Sequence, residues 1–561
     1  MKTTDNKPKL NIVSVMILIG LTGIVFTVFQ VFYMPHDFDN LGGKHAWVSG
    51  STIKYVNMWL EEGAETLHFT NMEKFSSIEL QSFEEREPYV TYPPGVTVMV
   101  WLGAKLCGKS HIDISFLKHF QLIMYGIESI LMALLIYVFC ERNVKAGEKS
   151  KLILSVAIAT LWMTLPVNNW FLTNIYWTDL AVFLWIIAYL LLESVSDWDA
   201  LSGKAKKVAE ALKSIVIIAG VLTEYYFCIV LFFGFLFNIV YTVKNADGKK
   251  LRCVIKSSLK YIIPVVVAVT IYIWQMSYTN NWAGQLADTF LHRTGVAHTE
   301  DVTGEFKEGF LNAITCSSIL RAVLLIVVEG IAGICIIIAA CRKKLINIFT
   351  DKSAIAVAML IVTPVVQLLM FWNHSSIHQY SMVKVGLQII GALLGITGLI
   401  SNAQKKTKLQ KIAAVFVGVF SFVCILLATG YPGRIKEFYE EKNKVLDYSI
   451  AKAIAQNTGF DDVCFSFTYV ISNNPPMDIC VSEKMVYEIA SIDDVYTMFD
   501  ELPEKANLIL VVDKNNMGSN DYIDREKTDD IIRQEQECIS FGKVIYEDDR
   551  CVLINLPHSE L

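Results

Sequence analysis

The sequence predicts a mainly α-helical, polytopic membrane protein with a small external α/β domain at its C-terminus. Three observations predict it: an apolar composition, a series of hydrophobic segments of membrane-crossing length, and a regular alternation of basic and base-free connections. The 561 residues are 53% hydrophobic and 19% charged, with a mean hydropathy of +0.42, which is too apolar for a soluble chain of this size. The net charge is −6 and no basic tract is present, so no nucleic acid partner is expected.

A helix needs roughly 20 mainly apolar residues to cross about 30 Å of hydrocarbon. Segments of that kind begin at Asn11, Phe116, Leu152, Thr178, Val208, Tyr225, Tyr261, Ile319, Ala354, Met382 and Ile412, about eleven in all. The first, Asn11 to Tyr33, has a long apolar core with no small-residue cleavage site after it, and reads as a retained helix or signal anchor.

Lysine and arginine set the orientation. The N-terminus and the stretches ERNVKAGEKSK, SGKAKKVAEALK, VKNADGKKLRCVIK, CRKKL and NAQKKTKLQK form one alternating set of connections. In the other set, NNWFLTNIYWTD, TEYY and NHSSIHQYS carry no Lys or Arg, and the loop from Asn280 to Ser317 carries only Arg293 and Lys307. The positive-inside rule makes the basic set cytoplasmic, the N-terminus included. An odd number of spans in a plasma membrane then leaves the C-terminus extracellular or periplasmic. Residues 1–430 are expected to form the transmembrane domain and residues 431–561 an external soluble α/β domain. In the tail a charged helix, Arg434 to Gln456, leads into the apolar runs DVCFSF, NLILVVD and RCVLINL, with a helical stretch from Arg525 to Cys538 before the last. Four of the twelve cysteines lie there: Cys464, Cys480, Cys538 and Cys551. Three of them fall in strand-like runs, as expected of buried free thiols.

The first external loop, residues 34–115, is the other large outer segment. Its TYPPG opens a helix from Val96 to Leu106, because proline is tolerated where an N–H would be unpaired anyway. At about eleven residues that helix cannot span, and should lie in the interface with Trp101 and Lys105 at headgroup level. KYVNMWLEEG reads as a second interfacial helix. Just after the first span, FYMPHDFDN and the following residues place Asp37, Asp39, His36 and His45 near the outer surface. Carboxylates beside flat helices suit chemistry on a substrate with its tail in lipid and its head in water.

The HDFD tetrad, the WLEEG helix end, the YPPG turn and the NHSSIHQYSMVK segment resemble the GT-C superfamily of membrane glycosyltransferases, such as protein O-mannosyltransferases and lipid A aminoarabinose transferases. The resemblance covers most of the chain and extends to the long first external loop and the external tail. It implies transfer of a sugar from a polyprenyl-phosphate carrier to an acceptor hydroxyl or amine of a glycan, lipid or protein in the cell envelope. An acid at the start of the first external loop would be the base: Asp37, with Asp39 as the alternative. A phosphate leaving group needs charge stabilisation and no proton donor.

Cations facing outward are scarce, so Lys118 in SFLKHF and Lys384 in SMVKVG are candidates for the lipid phosphate, with snorkelling as the plain alternative. His374 and His378 are four apart and share a face if helical. His378 is a phosphate candidate, and with His36, His45 or Asp37 the pair could hold a divalent cation. Some relatives carry an acid and a cation just before the proline pair; here Thr91 and Tyr92 stand there, which counts against a metal. Asp179 in IYWTDLAV and Glu224 in LTEYYF are outer-side acids that either serve the site or cap a helix. Glu128 and Glu329 lie inside apolar spans and are not expected to be catalytic. The rival reading is a transporter or flippase for a lipid-linked sugar, which leaves the carboxylate loop and the external domain without a purpose.

Overall fold

The computed structural model describes residues 11–34, 36–39, 41, 46–72, 88–246, 248, 250–296, 351–402, 449–459, 462–467, 484, 486–498, 507–515 and 528–557. Among them, seven helices are long and apolar enough to cross a membrane, or eight if one bent pair is a single span. Nine of the predicted segments coincide with helices, and the two beginning at Ile319 and Ile412 lie outside the described residues.

Helix α1 (Ile12–Thr27) runs on as a π-helical turn to Tyr33. Asn11 caps it by accepting the Val13 N–H, and Asn11 and Ser14 both donate to Glu148 at the head of α5 (Glu148–Thr164). Helix α2 (Ala46–Met58) ends in a π-turn at Gly63, and the short strands β1 (Asn71–Met72) and β2 (Pro88–Tyr89) pair antiparallel. Helix α3 (Gly95–Leu106) starts where the prolines require it, with Pro94 as its cap. Val96, Val100 and Ala104 repeat at four-residue spacing and are fully buried, so one stripe of α3 packs inward.

Helix α4 (Ile114–Asn143) is capped by Asp113, which accepts the Phe116 N–H at 2.7 Å. Residues 168–179, expected as a plain connection, contain a short helix instead: α6 (Pro166–Asn174) bends 64° away from α5, with proline at its first position. Then follow α7 (Thr178–Ser196), α8 (Gly203–Val221), α9 (Tyr225–Asn245), α10 (Lys250–Met276), α11 (Trp282–Thr294), α12 (Lys352–Met370), the short α13 (Trp372–Ile377) and α14 (Val383–Asn402). Helix α7 is apolar nearly all round and is the centre of the bundle, touching α4, α8, α9 and α12. By contrast α1 and α10 bury few residues and present isoleucine, valine and leucine outward, as lipid-facing helices do.

In the tail, α15 (Ser449–Asn457), β3 (Val463–Ser466), β4 (Val486–Glu488), α16 (Ile492–Met498), β5 (Leu508–Asp513), α17 (Thr528–Phe541), β6 (Lys543–Glu547) and β7 (Cys551–Leu556) build a five-stranded sheet of order β4-β3-β5-β7-β6. β3 runs parallel to β4 and β5, and β7 antiparallel to β5 and β6. All six residues of LILVVD are buried: the five apolar ones alternate between two cores, one containing α15 residues and the other residues of α16 and α17, and Asp513 pairs with Arg550. Cys464, Cys538 and Cys551 are buried free thiols, pushed up to about 12 by burial. Cys480, most of the helix predicted from Arg434, and Glu329 lie outside the described residues.

Candidate active site

The first turn of α7 brings Asp179 to the end of the bundle where the base-free connections gather. Asp179 and Lys384, from the first turn of α14, are each at most 1% exposed and form an ion pair of 3.0 Å through Oδ1 and Nζ. Charges so deeply buried persist only when paired and hydrogen-bonded. Oδ2 accepts from the Tyr92 hydroxyl at 3.0 Å, and that oxygen in turn lies 3.2 Å from His374 Nε2, so the ring N–H donates to Tyr92. Burial and the neighbouring His378 hold His374 well below the usual imidazole range. His378, moved down to about 4 chiefly by burial, stacks on it with ring centres 4.3 Å apart. Both rings are therefore neutral near pH 7.

The Arg293 guanidinium, on α11, lies 4.0 Å over the Tyr92 ring, a cation–π contact. Around this contact is a cavity of about 520 Å³. Its lining includes Trp47 of α2, Tyr89 of β2, Trp177, Tyr380 and the two stacked histidines. A second cavity, about 530 Å³ and almost wholly apolar, lies between α9, α11 and α12. The two share Thr91, Thr289 and Arg293, so a fixed cation stands where an aromatic, partly polar chamber meets a hydrocarbon-like one.

The two alternatives for the outer acids divide. Glu224 does cap a helix: it accepts the Tyr226 N–H at the start of α9. Burial, and then the charge of Asp179, push its carboxyl up to about 7. Asp179 caps nothing, and its oxygens hold Lys384 and Tyr92. Lys384 was expected at the donor phosphate, yet its ammonium is committed to Asp179 and it does not line the cavity.

The remaining candidates form a second group, on the segment after α1 and at Lys118 of α4. Lys118 donates to the backbone carbonyl of Asp37, and Asp37 Oδ1 accepts the Asp39 N–H at 3.0 Å. His36 Nε2–H donates to Gln30 Oε1 at 3.1 Å; burial, and then the Lys118 charge, move His36 down to about 4. Asp37, Asp39, His36 and Lys118 are not among the residues lining the cavity. The chain carrying the first three leads into α2, whose Trp47 is. His45 lies outside the described residues.

Among the described residues the donor set does not fit a divalent cation. Among the described residues no group of three or more His, Cys, Asp or Glu side chains is placed to hold one. His374 Nε2 is engaged by Tyr92, and the residues ahead of the prolines are uncharged. Sequence reasoning missed Arg293 as a site residue. Its signal was present: one of only two Lys or Arg residues in the long connection from Asn280 to Ser317. The aromatic lining carried no comparable signal, since Trp and Tyr are common at any membrane interface.

The apolar helices define a multi-pass membrane protein, and its many-helix fold is shared with solved membrane-protein structures. The chain is similar in structure to ArnT from Cupriavidus metallidurans bound to undecaprenyl phosphate, with a TM-score of 0.54 at 11% identity over 96% of this chain and 97% of that one. It is also similar to the oligosaccharyltransferase of Archaeoglobus fulgidus in complex with Zn and sulfate, with a TM-score of 0.50 at 10% identity over 93% of this chain and 71% of that one. No family model and no curated protein matches the sequence.

Proposed function

We propose that this protein is a membrane glycosyltransferase that moves a sugar from a polyprenyl-phosphate carrier to a cell-envelope acceptor at the outer face of the plasma membrane. The observation that carries this reading is the pair of cavities sharing Arg293. A lipid-linked sugar has three parts, and the site has a place for each. The hydrocarbon tail enters the apolar cavity, the phosphate meets the guanidinium, and the sugar lies against Tyr92, Trp177 and Tyr380. The similar ArnT structure is bound to undecaprenyl phosphate, a molecule of the kind this transfer would release.

In the reaction the acceptor oxygen or nitrogen attacks the anomeric carbon as the bond from that carbon to the phosphate oxygen breaks. Polyprenyl phosphate leaves with the bonding pair, the acceptor proton passes to a carboxylate, and the configuration inverts. Arg293 is charged at any physiological pH and its planar fork matches phosphate oxygens, so it stabilises the charge growing on the leaving group. We assign the base to Asp37, as the resemblance implies; it is not among the lining residues, so the role requires the segment ahead of α2 to bring its carboxylate within hydrogen-bond reach of the acceptor. Asp179 holds Tyr92 in place and keeps Lys384 neutralised.

Transfer from a polyprenyl-phosphate sugar, measured in reconstituted vesicles, tests this. Asp37→Asn should insert normally and lose about 10²–10⁴ in rate, the usual contribution of a positioned base. Arg293→Ala should lose donor binding as well. Full transfer by Asp37→Asn removes Asp37 as the base, and lipid movement without transfer by the unaltered protein makes it a carrier.

A further inference from the structure

Helix α11 buries none of its residues, yet it lines both the aromatic chamber and the apolar cavity. Asn373 donates to the His292 carbonyl at 2.7 Å, and Phe290 meets Phe371 edge-on with ring centres 5.9 Å apart, which ties the helix to α13 and the residue before it. Its lining residues sort into three rows. Leu286 and Phe290 line only the apolar cavity, Asp288 and His292 only the aromatic chamber, and Thr289 and Arg293 both. Each row is a pair four residues apart, as the helical period requires. Asp288 therefore stands on the side of Arg293 away from the hydrocarbon-like cavity. It is exposed, so it meets what enters the chamber from water. Among the described residues lining the chamber it is the only acid, and Arg293 is the only Lys or Arg. Among the described residues its carboxylate forms no ion pair or hydrogen bond.

Resting on the donor reading above, we propose that Asp288 binds the acceptor, accepting hydrogen bonds from its O–H or N–H groups, and that it selects acceptors with an ammonium group beside the nucleophile over acceptors with a phosphate there. A donor phosphate at Arg293 neutralises that guanidinium, and Lys384 is already neutralised by Asp179. The Asp288 carboxylate is then the charge left facing the acceptor, which attracts an ammonium and repels a second phosphate. Five residues of helix separate Asp288 from Arg293, about 7.5 Å along the axis at 1.5 Å per residue. The acceptor's polar group and the donor's phosphate thus bind side by side without competing. Asp288 orients the acceptor, and the proton transfer stays with Asp37.

The test uses the full-length protein in its native membranes, supplied with a polyprenyl-phosphate sugar and transferring to the endogenous acceptor. Three octyl hexosides that differ in one substituent, a hydroxyl, an ammonium or a phosphate, are added as competitors. The ammonium probe should compete best against the unaltered protein. In Asp288→Asn the preference for ammonium over phosphate should fall about tenfold, as expected when a charge-assisted hydrogen bond becomes a neutral one, while the donor KM stays unchanged. An unchanged preference, or no competition by any probe, would overturn the proposal and leave the donor reading intact. A raised donor KM in Asp288→Asn would put the carboxylate on the donor and also overturn it. Absence of transfer by the unaltered protein would remove the donor reading, and this proposal with it.

Discussion

Asp179 and Lys384 show what a buried charge demands of its neighbours. Each is almost fully withdrawn from solvent, and each is tolerable only through the other. Lys384→Met should cost about 3–5 kcal/mol, because it leaves a carboxylate buried and unpaired. Combining it with Asp179→Asn should restore much of that loss, since both charges then go. Thermal unfolding in detergent measures it, and equal midpoints for the single and double variants would contradict the pairing argument. Glu224 predicts a pH effect. Its folded value of about 7 lies above the ordinary 4.5, so between those values the folded protein keeps a proton that the unfolded chain has released. Stability from this group therefore falls as pH rises through that window, by on the order of 3 kcal/mol. Glu224→Gln keeps the cap and removes the titration, so the variant should gain on the unaltered protein as pH goes from 4.5 to 7. A constant difference between the two would refute the shift.

At the scale of elements, the TYPPG turn was legible as a helix start, and the reason for its glycine was not. The Gly95 N–H donates to the Leu222 carbonyl at 2.7 Å, and a Cβ on Gly95 would sit 2.4 Å from that oxygen. The glycine thus lets α3 dock on the turn between α8 and α9, the turn that carries Glu224. Gly95→Ala should cost about 1–3 kcal/mol through overpacking, and should weaken donor binding by displacing Tyr92. A fully stable, fully active Gly95→Ala would show the contact to be dispensable. The helix α6 was not legible, because nine residues with Asn and Thr among them give no clear period. The interfacial segments were expected to lie flat beside the bilayer; α3 also buries a full stripe against the bundle, since its period matches its neighbours as well as the membrane.

For the whole molecule, Trp47, Trp177, Asp179, Glu224, Arg293, His374 and Lys384 come from connections that the charge pattern assigns to one side. At the opposite ends of the helices, Glu193 of α7 pairs with Lys213 of α8 and Lys352 of α12, and Arg142 of α4 pairs with Asp197 and Asp351. If the first side is exoplasmic, a cysteine at the exposed Asp288 should react with an impermeant maleimide in intact cells, while one at the exposed Lys149 should react only after permeabilisation. These labels belong in a background lacking the exposed Cys107, Cys228 and Cys253. The reverse pattern would invert the orientation. By itself the sequence determined the membrane class, most helix positions, the grouping of the connections, and the acids and histidines worth watching, because hydropathy, period and charge act locally along the chain. Only the tertiary structure decided which of those residues meet. Lys384 and Asp179 neutralise each other across a long stretch of chain, Asp37 stays with Lys118 outside the cavity lining, and Arg293 joins an aromatic chamber to an apolar one. Pairing in low dielectric depends on distance in space, and no local pattern encodes that.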